Sequence, residues 1–430
     1  MKVLMVCYYY PPITDVGAKR SVAFSKYFRK YGWEPFVLSV KNPDRSYCYV
    51  GEDSPPEGVP TEYSYSIINL HWLLGKMDGA LSRVLKFFNL KATRNYFYDL
   101  LCYPDHFFGW VPLTTLKGTS MILENDIDAI YVSCSPFSGA LIGVFLKLLT
   151  KRPLILDFRD PFIVGITYAN WSWVRMKINR WFEKLFLKQA DLFLVTSEET
   201  RQAYITEYPW IKNKTFTIYN GYDPVSSLGG ASEKFDKFTI IYTGQFYNYG
   251  PNHQVYTDMF FKALAHLRRA GDITAENFQF LFFGNENKYI EDTASRYGVG
   301  GLVIPRSRVA YNEILKCILR SHLMLLRIVK LMISTKLFEG IPLNVPFLAT
   351  IPHGEVEDII RKYSPGSYIH TEDSSYLDVA AAIKDAMARY KNNQMHSNLV
   401  EEFLSSFTRE NMTRKMMLIA EDKLMQGSTQ

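Results

Sequence analysis

The sequence has few cysteines, and their spacing is unlike that of disulfide-rich or zinc-binding proteins. Its 430 residues include five cysteines, which lie far apart and form no Cys-x-x-Cys pair: Cys7, Cys48, Cys102, Cys134 and Cys317. An odd, scattered set of cysteines is typical of a reducing compartment and disfavours a zinc site. We therefore expect a cytoplasmic protein that binds no metal.

The sequence also lacks a long hydrophobic run. A membrane-spanning helix needs roughly 20 mostly apolar residues, whereas the longest candidate, residues 139–149, is shorter and contains Lys147. The opening residues MKVLMVCYYYPP hold a short apolar run that ends at two prolines. This pattern predicts a first β-strand and not a signal peptide. We expect no transmembrane helix.

Neither sign of charge dominates the chain. It has 49 Lys and Arg against 43 Asp and Glu, a formal net charge of +6. A mild positive charge favours an anionic partner such as a nucleotide or a membrane surface, but not nucleic acid. The motifs HExxH, GxSxG and GxGxxG, the P-loop lysine and the kinase motif set are absent, which argues against those enzyme classes.

Strand and helix patterns alternate along two halves of the chain. A strand at 2–8, a helix at 18–31 and a strand at 35–40 form a βαβ unit, which predicts a parallel sheet. Small polar residues at 226–232, SSLGGAS, are typical of a hinge. Further strands are predicted at 129–133, 154–158, 192–196, 215–219, 238–243, 278–283, 302–304, 323–326 and 347–350.

These patterns predict an α/β protein with two Rossmann-like domains whose parallel sheets face each other across a cleft. We place the first domain at residues 1–223, with a helical insertion at about 62–117. A hinge linker at 224–236 leads to the second domain at 237–397. C-terminal helices at 398–430 cross back to the first domain. The insertion has two interpretations, an acceptor lid or plain packing.

The segment PLILDFRDP, residues 153–161, carries the strongest functional signal. A continuously apolar strand runs into Asp157, Arg159 and Asp160, and open α/β sheets bind ligands at the carboxyl ends of their strands. Charged groups there are costly to bury without a partner or a ligand. We predict that the three residues line a catalytic site. The alternative is an internal ion pair between an arginine and a carboxylate that only orders the loop.

Three glycines follow predicted strands and are candidates for contacts with phosphate. Gly17 precedes the first helix, whose free N–H groups attract anions. Gly244, followed by Gln245, and Gly284 stand at two strand ends of the second half. Together they predict a site for a phosphorylated donor, although ordinary strand-to-helix turns explain each glycine separately.

Lys336 and Glu339 form the second candidate for donor binding. Ser334 or Thr335 can cap a helix that begins near Lys336. A lysine in a first helical turn costs roughly 0.3–1 kcal/mol against the helix dipole, which an anion bound there would offset. Glu339 shares that helical face and can accept hydrogen bonds from a ribose diol. The alternative is a local Lys–Glu surface pair.

Residues 171–188 combine tryptophans and basic residues at helical spacing. Such a helix can lie on an anionic membrane surface. Packing of its apolar stripe on the domain core explains the pattern equally well.

Several ordered motifs resemble those of bacterial glycosyltransferases of the GT-B fold, in the large retaining family four. The opening residues 3–40 resemble the first strand, loop and helix of that family. The other motifs are Tyr103-Pro104-Asp105, Gly109-Trp110, Ser135-Pro136-Phe137-Ser138, Asp157-Phe158-Arg159-Asp160-Pro161, Ala190-Asp191, Asn220-Gly221-Tyr222-Asp223 and Lys336-Leu337-Phe338-Glu339.

The resemblance implies transfer of a sugar from a nucleotide-sugar to a lipid-linked or polysaccharide acceptor, with retention of configuration. It implies no metal and no cofactor besides the donor. Lys336 would hold the diphosphate, Glu339 the ribose, and Gly17 would approach the phosphate from the first domain. Asp157, Arg159 and Asp160 would lie near the acceptor and the reacting carbon.

Three positions depart from the family pattern. Ala140 stands where many relatives have a histidine, Leu331 replaces the first glutamate of a Glu-x7-Glu pair, and Gln245 stands where a cation is common. These losses leave two alternatives open: a catalytically degenerate glycan- or partner-binding protein, and a sugar-nucleotide epimerase. Four cations are candidates to compensate: Arg306, Arg308, Arg327 and Lys330.

Overall fold

A computed structural model describes residues 1–88, 95–165, 171–224, 233–244, 246, 251–307, 309–392, 394 and 400–425. The chain divides into two compact units. The first contains Met1–Asn220 and Arg409–Gln430, and the second contains Gly221–Thr408. The boundary between Asn220 and Gly221 lies three residues before the expected end of the first domain at residue 223. Most of the expected linker, residues 225–232, lies outside the described residues.

The first unit is built on a parallel sheet that has seven strands within the described residues. The strands are β1 (Lys2–Cys7), β2 (Glu34–Val40), β3 (Thr61–Ser64), β4 (Ala129–Cys134), β5 (Leu154–Phe158), β6 (Leu192–Val195) and β7 (Thr215–Thr217). Their order in the sheet is β3-β2-β1-β4-β5-β6-β7. The order therefore reverses between β1 and β4, the place where open α/β sheets bind ligands.

Helices connect these strands and cover the sheet. They are α1 (Val16–Lys30), α2 (Leu70–Phe87), α3 (Tyr96–Leu101), α4 (Val111–Glu124), α5 (Ser138–Thr150), α6 (Trp173–Gln189) and α7 (Glu198–Glu207). Successive strand residues point to opposite faces, so Leu4 and Val6 join one hydrophobic cluster while Val3 and Met5 join another. The two clusters explain why the strands are apolar without alternation.

The second unit repeats this design around a sheet that has six parallel strands among its described residues. The strands are β8 (Phe238–Thr243), β9 (Phe278–Phe283), β10 (Val303–Arg306), β11 (Leu323–Arg327), β12 (Phe347–Thr350) and β13 (Tyr368–His370). Their order is β10-β9-β8-β11-β12-β13, which reverses between β8 and β11. The helices are α8 (Pro251–Arg269), α9 (Asn287–Arg296), α10 (Tyr311–Arg320), α11 (Thr335–Gly340), α12 (Glu355–Tyr363), α13 (Tyr376–Lys391) and α14 (Glu401–Ser406). Two parallel sheets with connecting helices confirm the predicted pair of Rossmann-like domains.

The last helix, α15 (Arg409–Met425), belongs to the first unit, whereas α14 belongs to the second. The segment expected as C-terminal helices, 398–430, is therefore shared between the units. Helix α15 packs on α1, and its residues Met412, Met416 and Met417 lie in a cluster with Val3 and Phe28.

Two short edge strands were not predicted. Strand β3 lies at the start of the expected helical insertion at 62–117, and β13 follows Pro365-Gly366. The rest of the described insertion is mainly helical, with α2, α3 and the first half of α4. Among the described residues, no helix combines the length and the apolar character needed to cross a bilayer. All five cysteines are free thiols.

Candidate functional site

At the carboxyl edge of the first sheet, β1, β4 and β5 end side by side. Gly17 is the second residue of α1, which follows β1. Ser135 follows β4, and Arg159 and Asp160 follow β5. The structure therefore places Gly17, Arg159 and Asp160 at the edge where the strand order reverses. The prediction that they serve a site at this edge stays a prediction.

Asp157 lies inside the protein, beneath this edge. Its carboxylate is fully buried and accepts hydrogen bonds from Arg20 Nε at 2.6 Å, Arg20 Nη2 at 3.0 Å and Tyr131 Oη at 2.5 Å. Arg20 also donates Nη1 to the backbone oxygens of Ile218 and Tyr219, each at 2.9 Å. The geometry matches the packing alternative, an internal ion pair, with Arg20 as the partner.

Arg159 lies directly against Gly17. A Cβ atom added at Gly17 would collide with the Arg159 guanidinium and come within 3.2 Å of Tyr9 Cγ. The guanidinium also stacks at 5.2 Å on the Tyr9 ring and donates Nη2 to the Ser135 oxygen. Because Gly17 has no side chain, the guanidinium can lie close to the N-terminus of α1 in this position. Two positive features meet there, which favours an anion as their ligand.

Asp160 is the exposed acid of the segment. The protein around it raises the pKa of its carboxyl group by desolvation, and the adjacent Arg159 charge lowers that pKa in part. An exposed carboxylate beside a fixed guanidinium can hold the hydroxyl groups of a sugar.

Asp105 was missed as an individual residue, although its motif carried part of the resemblance. It accepts hydrogen bonds from the backbone N–H groups of Phe137 at 2.5 Å and Ser138 at 3.1 Å, and from Ser138 Oγ at 2.5 Å. The motif at 103–105 therefore caps the start of α5. Ala140, one of the expected departures from the family pattern, lies fully buried on the same helix.

At the second sheet, Gly244 and Gly284 follow β8 and β9 and pack against each other. Gly244 has a φ of +102°, a conformation that favours glycine. A Cβ at Gly284 would come within 2.5 Å of the Gly244 oxygen. The two glycines therefore allow two strand ends to approach closely.

Lys336 reaches the same place from α11, which follows β11. Its Nζ lies 3.0 Å from the position of a Cβ at Gly244 and 3.4 Å from Tyr242 Oη. Because β8 and β11 are neighbours across the reversal of strand order, Gly244 and Lys336 mark the position expected for a ligand. Helix α11 has only six residues, so its dipole adds little, and the argument depends on the lysine itself.

The other predicted donor contacts are placed less directly. Glu339 lies half-buried on α11, one turn after Lys336, and its contact with ribose stays a prediction. Gln245 and Arg308 lie outside the described residues. Of the other compensating cations, Arg306 and Lys330 are exposed.

Arg327 points into the second unit. It is 6 % exposed and stacks at 3.9 Å on the Phe246 ring, and its Nη2 donates to Thr257 Oγ1 at 2.6 Å. Burial lowers the pKa of this guanidinium. Its contacts support packing of the strand end more directly than phosphate binding.

Helix α6 forms the predicted basic helix within residues 171–188. Trp173 is 70 % and Trp181 60 % exposed, and Lys177 Nζ lies 4.8 Å from the Trp173 ring centroid. The buried side of the helix includes three polar residues, Arg175, Asn179 and Glu183. The tryptophans and lysines thus lie on the solvent side.

Comparison with known proteins gives a family match in the N-terminal part of the chain. Residues 21–225 match the family described as Glycosyltransferase Family 4. No curated protein sequence matches the chain.

Solved structures match the fold over almost the whole length. Sucrose-phosphate synthase from Thermosynechococcus elongatus has a TM-score of 0.64 at 14 % identity, with 98 % of each chain covered. Anabaena HepE, in complex with UDP and glucose, has a TM-score of 0.63 at 12 % identity, with 98 % of this chain and 100 % of HepE covered. A protein described as UDP-N-acetylglucosamine 2-epimerase from Listeria monocytogenes has a TM-score of 0.55 at 11 % identity, covering 99 % and 97 %. At such identities the likeness shows the fold alone. The chain has the GT-B fold, and its residues 21–225, slightly less than half of the sequence, match the family 4 glycosyltransferases.

Proposed function

We propose that this glycosyltransferase moves a sugar from a nucleotide-sugar donor to a lipid-linked or polysaccharide acceptor, with retention of configuration and without a metal. The observation that carries the proposal is the position of Lys336, 3.0 Å from the site of a Cβ at Gly244. A diphosphate bound there meets a fixed cation and a backbone without a side chain. HepE, which has the same fold, is solved with UDP and glucose.

The chemistry follows from stabilising the leaving group. As the bond between the sugar and the diphosphate breaks, negative charge grows on the phosphate oxygens, and a preorganised cation lowers the energy of that state. Lys336 performs this role, while Glu339 orients the ribose. The acceptor attacks on the face from which the diphosphate leaves, so no protein nucleophile is needed.

The first unit binds the acceptor in this proposal. Arg159 and Asp160 offer a cation and an exposed carboxylate at the reversal of strand order, and Gly17 allows Arg159 to approach α1. Asp157 supports them from below through its pair with Arg20 and does not contact the substrate. This revises the catalytic role expected for Asp157.

The protein also acts at the cytoplasmic membrane surface in this proposal. Trp173, Lys177, Arg180, Trp181 and Lys184 on the solvent side of α6 suit an anionic lipid surface. A lipid-linked acceptor would be met at that surface.

Thermal stabilisation by UDP, GDP, ADP, CMP and dTDP tests donor binding. A ligand at 100 times its dissociation constant stabilises a protein by about 2.7 kcal/mol. We expect one nucleotide to raise the melting temperature of the wild type, and Lys336→Ala/Glu339→Ala to abolish this shift.

The double variant Glu313→Ala/Lys316→Ala is the matched control. These residues form an exposed Lys–Glu pair at 2.8 Å on α10, within the same unit. The control should keep the nucleotide shift. No shift with any nucleotide would refute the transferase proposal. Binding without sugar transfer to any acceptor would support the degenerate binding protein.

A further inference from the structure

Helix α2 presents an aromatic and basic face to solvent. Trp72 is 58 % exposed, Phe87 is 83 % and the adjacent Phe88 is 65 % exposed. Lys76 and Arg83 lie between them at helical spacing, on the same side of the helix. We call these five residues, Trp72, Lys76, Arg83, Phe87 and Phe88, the α2 face.

The opposite side of α2 explains why this face carries no negative charge. The only acidic residue of the helix is Asp78, which is 5 % exposed. Its carboxylate accepts hydrogen bonds from the backbone N–H groups of Phe97 at 2.8 Å and Tyr98 at 3.1 Å. Asp78 thus holds the start of α3 against α2 and leaves the exposed side of α2 purely basic.

Helix α3 contacts both α2 and α6 and has exposed apolar residues of its own. Leu100 and Leu101 are 60 % and 52 % exposed. The Tyr98 oxygen accepts a hydrogen bond from Arg175 Nη1 of α6 at 2.7 Å. Helix α3 therefore links α2 to the buried side of α6 within the first unit.

The composition of the α2 face favours a lipid surface over a protein partner. Aromatic residues and arginine are common in protein–protein interfaces, but lysine is depleted there. Lysine beside tryptophan is typical of helices that lie in a bilayer interface. Lys76 Nζ lies 3.9 Å from the Trp72 ring centroid, so a single ligand surface could contact both the cation and the aromatic ring. Anionic phosphates complement this charge.

We infer that the α2 face docks on an anionic bilayer, with the aromatic rings at the acyl boundary and Lys76 and Arg83 at the lipid phosphates. This extends the membrane contact proposed for α6 to a second helix. The inference rests on that part of the proposed function but does not depend on sugar transfer.

Co-sedimentation of the full chain with vesicles tests the inference. The vesicles contain phosphatidylcholine alone or with about 30 % phosphatidylglycerol, and no nucleotide is added. We expect binding to the anionic vesicles only, weakened by added salt. The variant Trp72→Ser/Phe87→Ser should reduce the partition coefficient about tenfold or more. The variant Lys76→Gln/Arg83→Gln should weaken the preference for anionic lipid, and the basic residues of α6 should maintain the remainder.

The matched control is Val309→Ser/Leu377→Ser, which removes two exposed apolar residues of the second unit and should bind as the wild type does. Melting temperatures of all variants establish that they fold. Equal vesicle binding by the wild type and Trp72→Ser/Phe87→Ser would overturn the inference. So would self-association that this variant abolishes, without vesicle binding, because the face would then bind a second copy. The nucleotide shift is measured separately, so donor binding and membrane docking can fail independently.

Discussion

Asp157 and Arg159 are only two residues apart, but their side chains lie in different environments. The strand ends between them, at Phe158. Asp157 turns inward to a buried arginine, whereas Arg159 turns along the carboxyl edge toward Gly17 and Ser135. A single charged motif thus supplies both a structural pair and a candidate binding group.

At the residue scale, we predict that Asp157→Ala destabilises the protein by about 3–5 kcal/mol, because it leaves the Arg20 charge buried and unpaired. Replacing both partners, Arg20→Met/Asp157→Leu, should recover most of this loss. Urea denaturation followed by circular dichroism measures the free energy of unfolding. Asp160→Asn, at the exposed acid, is the control and should change it by less than about 0.5 kcal/mol. A small loss in Asp157→Ala would contradict the buried ion pair.

The sequence could locate this charged strand end but not its partner. An apolar run followed by Asp-Phe-Arg-Asp identifies the site edge from local pattern alone. Arg20 lies 137 positions before Asp157, and only the packing of α1 on the sheet brings the two together. Gly17 is a similar case, because the sequence of its loop does not predict that Arg159 lies next to it.

Two helix starts in the first unit, those of α3 and α5, depend on carboxylates that come from another helix or loop. Asp105 caps α5 and Asp78 caps α3, although neither directly precedes its helix in the chain. Local capping rules find a Ser, Thr, Asp or Asn directly before a helix, so such caps cannot be predicted without the fold. The short strands β3 and β13 were not predicted because they lack long apolar runs and form only by pairing with a neighbouring strand. The central strands, which are buried and continuously apolar, were predicted.

At the element scale, we predict that Asp105→Ala loosens the start of α5 and costs about 1–3 kcal/mol of stability, because several N–H and hydroxyl groups lose their acceptor. Amide hydrogen exchange should accelerate at Ser138 and the first turn of α5. Asp105→Asn keeps one acceptor oxygen and should fall between the wild type and Asp105→Ala. Unchanged exchange in Asp105→Ala would show that the carboxylate does not hold the helix.

At the scale of the whole molecule, the first unit contains two segments that are far apart in sequence, Met1–Asn220 and Arg409–Gln430. Helix α15, which follows the entire second unit in sequence, supplies Met412, Met416 and Met417 to the core on β1 and α1. Polar contacts reinforce this packing, since Trp33 Nε1 donates to Glu421 at 2.7 Å and Lys30 pairs with Glu410 at 2.5 Å. The fold of the first unit therefore depends on a helix that follows the whole second unit along the chain.

At this scale we predict that Met416→Ala destabilises the first unit by about 2–5 kcal/mol, because Met416 is fully buried against α1 and the sheet. In the full chain, hydrogen exchange should accelerate in β1, β2 and β4, which are distant in sequence. Exchange in α14, which immediately precedes α15 along the chain, should not change. Leu418→Ala is the matched control, since Leu418 lies on the same helix but is 58 % exposed. Acceleration that spreads from residue 416 into α14 but spares β1 would show that α15 folds with its sequence neighbours, and its assignment to the first unit would be wrong.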